Sequence, residues 1–197
     1  MKEKRSYFDV YELGTIALFA LGSALLNTYL PIKAFTQWLG VPGPAAGMAL
    51  LGGFIFVFWV ALAQAMIKKR YAGVVTALLT ASFCLLIAPW YGIVSPIWFG
   101  VYAIVALLSM GIFVELTASE SSKSKSKFSG VTGGGIGNLA CLGITWMAIG
   151  VYAGAWAPPK YVPILILAAF VSGCVGSLMA YGITKTFLQA KSSAKLF

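Results

Sequence analysis

The chain has 197 residues, of which 60% are hydrophobic and only 10% are charged, and its formal net charge is +9 at pH 7. A soluble domain has about a quarter of its residues charged, so this composition, with a mean hydropathy of +0.90, excludes a water-soluble globule. We predict a single all-α integral membrane domain over residues 1–197. We interpret the positive charge as a topology signal and a contact for the lipid bilayer, and we expect no nucleic acid partner.

Six apolar runs match, or nearly match, the roughly 20 residues that a helix needs to cross a bilayer. The first run ends at Pro31 and the third at Pro89, because proline interrupts the hydrogen bonding of a helix. Between the fourth and fifth runs, residues 119–132 are rich in serine and lysine, which predicts a flexible cytoplasmic linker. The six predicted spans are residues 12–30, 47–67, 72–87, 97–116, 136–156 and 163–188.

The fourteen lysine and arginine residues lie in or beside the gaps between these runs, and their number alternates from one gap to the next. Twelve of them fall on one side of the six predicted spans, and only Lys33 and Lys160 fall on the other. Cytoplasmic loops of membrane proteins carry such an excess of cations. The pattern therefore predicts a multi-pass protein of the plasma membrane with both termini in the cytoplasm.

The side chains that catalysis or metal binding would need are few. The chain has no histidine, and its three cysteines lie inside apolar runs without the spacing of a metal site. The five acidic residues all lie near the predicted cytoplasmic ends, so a proton relay at membrane depth is not expected. We predict neither a metal, a cofactor nor an enzymatic activity. The acids are Glu3, Asp9, Glu12, Glu115 and Glu120.

Aromatic residues collect at the predicted external ends of the spans, whereas the cytoplasmic ends are expected to carry far fewer Trp and Tyr. The rings have two possible uses: an interfacial belt that anchors the helices, or a pocket whose rings stack on a planar ligand. The one-sided distribution favours a pocket. The external rings are Tyr29, Phe35, Trp38, Trp90, Tyr91, Trp98, Tyr102, Tyr152, Trp156 and Tyr161.

Two further features of the first span are candidates for a role in binding. Asn27 is an amide at membrane depth, where it needs a hydrogen-bond partner on a neighbouring helix or on a ligand. Ala20 and Ala24 are four residues apart, so they share one helix face and allow close approach, either within the chain or to another subunit. The predicted ligand-binding residues are Asn27, Trp38, Trp90, Tyr91, Trp98, Tyr102, Tyr152 and Trp156.

Residues 10–116 resemble the substrate-binding membrane component (S component) of an energy-coupling-factor (ECF) vitamin transporter. The six short spans, the alanine pair in the first span and a ligand end outside contribute to this resemblance. The local similarity is to the thiamin-related YkoE-type subfamily. It is carried by Gly43-Pro44, Phe54, Trp59, the Ala65-Met66-Ile67-Lys68-Lys69 run, Ala72-Gly73-Val74-Val75 and Cys84-Leu85-Leu86.

The resemblance implies a subunit that captures a vitamin-like small molecule outside the cell. It implies a membrane coupling subunit, which meets Ala20 and Ala24, and two cytoplasmic ATPases as partners, with residues 31–46 acting as a lid. The chain itself contains no GxxxxGK[ST] motif, so the partners would hydrolyse ATP. One departure is that the predicted external half has no carboxylate, whereas thiamin-type ligands are cationic. A structural or assembly protein of the membrane and a small channel remain the alternatives.

Overall fold

The computed structural model describes residues 7–38, 44–94, 100–124, 127–154, 156 and 158–193. Within these ranges the chain forms eight α-helices, a π-helical turn at Gly53–Val57 that joins the third helix to the fourth, and a 3-10 turn at Pro159–Tyr161. The helices are α1 (Val10–Tyr29), α2 (Ile32–Trp38), α3 (Pro44–Gly52), α4 (Phe58–Ile67), α5 (Ala72–Leu86), α6 (Gly100–Ser124), α7 (Lys127–Ala153) and α8 (Val162–Ser193).

Five segments of the described chain are long and apolar enough to cross a membrane. The predicted third span corresponds to α5, which has only 15 residues and is about 22 Å long at 1.5 Å per residue. It packs between α1 and α6, so its ends need not reach both faces of the bilayer. The helical membrane architecture agrees with the sequence-based prediction, and a sixth crossing stays a prediction. The five segments are Val10–Tyr29, Ala45–Ile67, Val101–Ala118, Ser129–Tyr152 and Pro159–Gln189.

The segment that runs from α3 through the π-helical turn into α4 lies at the centre of the bundle and contacts α1, α5, α6, α7 and α8. A helix that is apolar all round is suited to such burial. The π-helical turn is supported by serines of two neighbouring helices. The Ser23 hydroxyl donates to the Ile55 carbonyl at 2.6 Å, and the Ser172 hydroxyl accepts from the Gly53 N–H at 3.0 Å. These hydrogen bonds satisfy backbone groups that could not bond to water inside a bilayer.

Glycines allow α8 to approach its neighbours closely. A Cβ atom on Gly53 would overlap the backbone of Ser172, and one on Gly173 would overlap the Gly134 carbonyl. Close backbone approach through small residues is a common basis of helix packing in membranes. In the same interface the Asn138 amide donates to the Ala169 carbonyl at 2.8 Å. These contacts join α8 to the central segment and to α7.

The predicted flexible linker differs from the structure. Residues 119–124 continue α6, and residues 127–132 belong to α7, so most of the segment is helical. Lysine and glutamate are good helix formers, and their polarity does not by itself prevent a helix. The start of α7 is also held by contacts, because the Ser129 hydroxyl donates to the Thr117 carbonyl at 3.2 Å and Gly130 packs against the Tyr181 ring.

Candidate ligand-binding end

Contacts between the loops divide the bundle into two ends. At the first, the Lys69 ammonium pairs with the Glu12 carboxylate at 2.6 Å, and the Glu115 carboxylate accepts hydrogen bonds from Tyr71 and Gly73. Because twelve of the fourteen cations lie in or beside this part of the sequence, we call it the basic end. It comprises residues 7–13, 68–73, 115–132 and 181–193.

The opposite end contains the site predicted from the sequence, and we call it the aromatic end. It comprises residues 27–38, 44–47, 88–94, 100–102 and 150–162, apart from those outside the described ranges. The Tyr91 N–H donates to the Thr28 carbonyl at 3.2 Å, which fixes the segment after α5 on the last turn of α1. The two ends therefore lie at opposite ends of the long helices.

Asn27 is fully buried in this end and holds the segment that follows α5. Its amide oxygen accepts from the Ile93 N–H at 2.9 Å and from the Val94 N–H at 3.0 Å, while its amide nitrogen donates to the Val94 carbonyl at 3.1 Å. Gly92 lies so close to the Asn27 backbone that a Cβ atom there would overlap the Asn27 carbonyl. Of the two alternatives raised for Asn27, the structure shows contact with the protein itself.

The centre of the aromatic end is filled by apolar side chains. Ile32 from α2 and Ile93 from the segment after α5 both lie against Gly47 at the start of α3, where an added Cβ atom would be 2.7 Å and 3.3 Å from them. Ile32, Ile93 and Val94 are all buried. Helix α2, which falls within the predicted lid of residues 31–46, thus packs against the start of α3, beside the segment that Asn27 holds.

The predicted aromatic residues form separate groups around this apolar centre. Tyr102 of α6 and Tyr152 of α7 meet edge to face, with 5.4 Å between ring centroids. The Trp156 ring folds back onto Gly150 of α7, where an added Cβ atom would lie 2.5 Å from it. On α2, Trp38 is 81% exposed and stacks on Phe35 with 6.4 Å between the ring centroids.

Two predicted ligand residues lie on the segment after α5, and a third is not described. Trp90 is partly buried, and its indole nitrogen is buried without a hydrogen-bond partner in the described part of the chain. Tyr91 is exposed. Trp98 lies outside the described residues. The structure therefore brings Tyr102 and Tyr152 into contact, but it does not bring all the predicted residues into one cluster.

The expected scarcity of aromatic residues at the basic end is wrong for tyrosine. Four tyrosines lie at the basic end, and three of them are exposed, as expected for an interfacial belt. Tryptophan does distinguish the two ends, since Trp38, Trp90 and Trp156 all lie at the aromatic one. The tyrosines of the basic end are Tyr7, Tyr11, Tyr71 and Tyr181.

Ala20 and Ala24, predicted as the contact for a coupling subunit, are both fully buried inside the chain. They lie on the face of α1 that also carries Ser23 and Asn27, and this face packs against the central segment and α5. Spacing alone cannot tell a small-residue pair that serves internal packing from one that serves a partner. In this structure the pair presents no surface to another subunit.

Sequence reasoning missed the role of Glu115, which is 7% exposed. From α6 it accepts hydrogen bonds from the Tyr71 N–H at 2.6 Å and the Gly73 N–H at 3.1 Å, so it caps the first turn of α5. The Gln64 side chain also accepts from the Gly73 N–H, at 3.1 Å. A carboxylate near the end of an apolar run, facing the start of another helix, is a signal that would have suggested this cap.

A group of three or more histidine, cysteine or acidic side chains that would suit a metal ion does not occur in the described ranges. The charges and rings of the aromatic end are instead suited to holding an organic molecule through stacking and hydrogen bonds.

The fold is that of a known class of membrane protein. A crystal structure described as an S-component of an ECF transporter matches the chain with a TM-score of 0.66 and 20% sequence identity. The match covers 93% of this chain and 87% of that chain. Neither a protein-family model nor a curated protein matches the sequence. The likeness to the S-component is therefore one of fold.

Proposed function

We propose that this protein is the substrate-capture subunit of an ECF-type importer and takes up a vitamin or a related small organic micronutrient. The observation that carries the proposal is the fold, which an ECF S-component shares over 93% of this chain. The proposal includes a membrane coupling subunit and two cytoplasmic ATPases as partners, because the sequence itself has no nucleotide-binding motif. The matched structure is a transporter component, which favours transport over catalysis.

In this proposal the chain lies in the plasma membrane, crosses it six times and has both termini in the cytoplasm. Its basic end then faces the cytoplasm, where lysine-rich and arginine-rich loops of membrane proteins lie. The aromatic end faces outward and receives the ligand. Helix α2 acts as the lid, since it packs over the apolar centre through Ile32.

The proposed ligand contacts are the rings around the aromatic end. Trp90 offers an indole N–H without an acceptor in the described part of the chain, and Tyr102 with Tyr152 offers an aromatic pair. Trp156 offers a further exposed ring. Trp38, Tyr91 and Trp98 remain proposed contacts because the sequence places them among the rings at the predicted external ends of the spans. Asn27 contributes indirectly, because its hydrogen bonds fix the segment that carries Trp90 and Tyr91. Its own polar atoms become available to a ligand only if that segment moves.

The thiamin-related subtype is not part of this proposal. All five acidic residues of the chain precede residue 13 or lie between residues 115 and 120, so the segments of the aromatic end contain none. A cationic ligand at the aromatic end would meet no opposite charge there. The proposal is therefore limited to a small organic micronutrient without a subtype.

The test begins with native mass spectrometry of the purified protein, which detects a small molecule retained from the cells. Binding of that molecule is then measured for Trp90→Ala and Trp156→Ala. Tyr11→Ala at the basic end is the matched control for Trp156→Ala, because both rings are strongly exposed. We expect both tryptophan variants to lose most of their binding and the control to keep it. Wild-type binding by both tryptophan variants would refute the placement of the ligand.

The same preparation separates the alternatives. A structural or assembly protein retains no small molecule and supports no uptake when it is combined with a coupling subunit and ATPases. A channel conducts ions in liposomes without partners. The proposed subunit transports only in the presence of the ATPases and ATP, so uptake that is independent of both would contradict the proposal.

A further inference from the structure

We propose that the ligand received at the aromatic end is an uncharged or anionic planar molecule rich in hydrogen-bond acceptors, and that organic cations are excluded. This inference rests on the proposed function and specifies the chemistry of its ligand. It is carried by where the chain places its carboxylates, its cations and its unpaired hydrogen-bond donors.

The carboxylates that the structure describes are at the other end of the protein, and the segments of the aromatic end contain no acidic residue in the sequence. Glu12 pairs with Lys69, and Glu115 caps the first turn of α5, so both lie around the same turn of the basic end. Glu3 precedes α1, and Glu120 follows Glu115 on α6. With Asp9 at the start of α1, these are all the acidic residues of the sequence. A cation at the aromatic end therefore has no carboxylate to pair with.

The charges that the aromatic end does carry are positive. Lys160 lies in the 3-10 turn Pro159–Tyr161 and is exposed, with its ammonium 4.8 Å from the centroid of the Tyr161 ring. Lys33 belongs to α2. Because like charges repel and an exposed lysine can turn towards an anion, Lys160 favours a negative group on the ligand over a positive one.

Cation–π attraction is the strongest argument for a cationic ligand. Exposed rings such as Trp38 offer a face to a cation without an opposite charge beside it. The Tyr161 ring and the Tyr102–Tyr152 pair favour it less. A cation would need the open face of a ring. The Tyr161 ring already has the Lys160 ammonium over it. Tyr102 and Tyr152 meet edge to face, at an interplanar angle of 81°, instead of lining a common cavity with their faces.

Hydrogen-bond donors without acceptors point in the same direction. The indole nitrogens of Trp90 and Trp146 are buried, and neither has an acceptor in the described part of the chain. Trp146 lies on α7 one turn before Gly150, against which the Trp156 ring packs. An indole N–H can only donate, so a ligand with carbonyl or carboxylate oxygens is the chemical complement of these side chains.

The test uses the purified wild-type protein and three probes, each added singly: thiamin as a cationic ring, riboflavin as an uncharged ring and folate as an anionic ring. The small molecule that the protein retains from cells is identified in parallel by mass spectrometry. We expect the retained molecule to be uncharged or anionic, and we expect thiamin neither to bind nor to displace it. A retained organic cation, or thiamin binding tighter than both other probes, would overturn the inference and leave the proposed function standing.

A charge reversal provides the second arm. For an anionic ligand, Lys160→Glu should weaken binding about tenfold, the change that corresponds to one modest charge interaction. The matched control is Lys185→Glu, because Lys185 is also exposed but lies on α8 at the basic end. An uncharged ligand should bind equally to both variants. Tighter binding of any ligand by Lys160→Glu would contradict the inference, whereas a wild-type protein that retains and binds nothing would refute the proposed function with it.

Discussion

The two ends of the bundle hold their loops by different means. At the basic end, the turn between α4 and α5 is held by two carboxylates, with Glu115 bonded to its backbone and Glu12 paired with Lys69. At the aromatic end, the segment after α5 is held by one neutral amide, Asn27, and by buried isoleucines. The first arrangement uses charge and the second avoids it.

This difference has a consequence for function. A turn held by charged groups beside water remains compatible with a polar environment. A segment held by a neutral amide leaves no carboxylate near the surface where a ligand would arrive, so the few lysines there keep their full effect on an approaching molecule. In the proposed function, the basic end is structural and the aromatic end selects ligands by charge.

The largest expected effect is on the central segment that joins the two ends. In Gly53→Ala, the new methyl group would overlap the Ser172 backbone, so α8 must move away from the π-helical turn. We expect a loss of about 3 kcal/mol or more in the free energy of unfolding, at the upper limit of overpacking effects. Thermal unfolding in detergent micelles measures it.

The matched control is Gly143→Ala, because nothing lies within 4 Å of a Cβ atom at Gly143 in α7. Alanine favours a helix over glycine by up to about 1 kcal/mol, so this variant should be as stable as the wild type or slightly more so. Equal melting temperatures for the two variants would show that α8 does not approach the central segment as closely as the structure has it.

Much of this fold follows from hydropathy, because long apolar runs are strong signals. The predicted spans 12–30, 47–67 and 163–188 match α1, the α3–α4 segment and α8 within a few residues. The helical structure of residues 119–124 and 127–132 was not expected from their composition, because composition does not report tertiary contacts such as that of Gly130 with Tyr181.

The candidate site was less predictable than the spans. An amide at membrane depth signalled that Asn27 has a partner, but nothing in the sequence identified residues 93 and 94, which are 66 and 67 positions away. The Ala20 and Ala24 pair was assigned to a partner subunit by analogy, whereas the structure buries it. Small residues at a four-residue spacing serve either purpose, and only the packing decides between them.

The next effect in size concerns the aromatic end. Asn27→Ala removes the acceptor for the buried Ile93 and Val94 N–H groups, and each unsatisfied group costs about 1–3 kcal/mol. We expect lower stability and faster amide hydrogen exchange in residues 91–94, with residues 68–73 at the basic end unchanged. Mass spectrometry of the exchanging protein distinguishes the two segments.

Ser82→Ala is the control for Asn27, since the bond that the described part of the chain shows for the Ser82 hydroxyl is to Leu78 in its own helix, at 3.0 Å. It should leave both segments as they are. If Asn27→Ala accelerates exchange equally at the two ends, the amide supports the whole bundle instead of holding one segment.

The smallest effect is expected at the basic end, in Glu115→Gln. Glutamine keeps one oxygen acceptor, which can serve the Tyr71 N–H, but its NH₂ group then faces the Gly73 N–H. The loss is limited because the Gln64 side chain still accepts from Gly73, so we expect about 1 kcal/mol, the typical net value of one hydrogen bond. Exchange should rise in residues 69–73 and stay unchanged in residues 91–94, the reverse of the Asn27 result.

Glu12→Gln provides the comparison, because its pair with Lys69 is partly exposed and such pairs contribute little to stability. A larger loss for Glu12→Gln than for Glu115→Gln would mean that the ion pair, and not the buried cap, holds this turn.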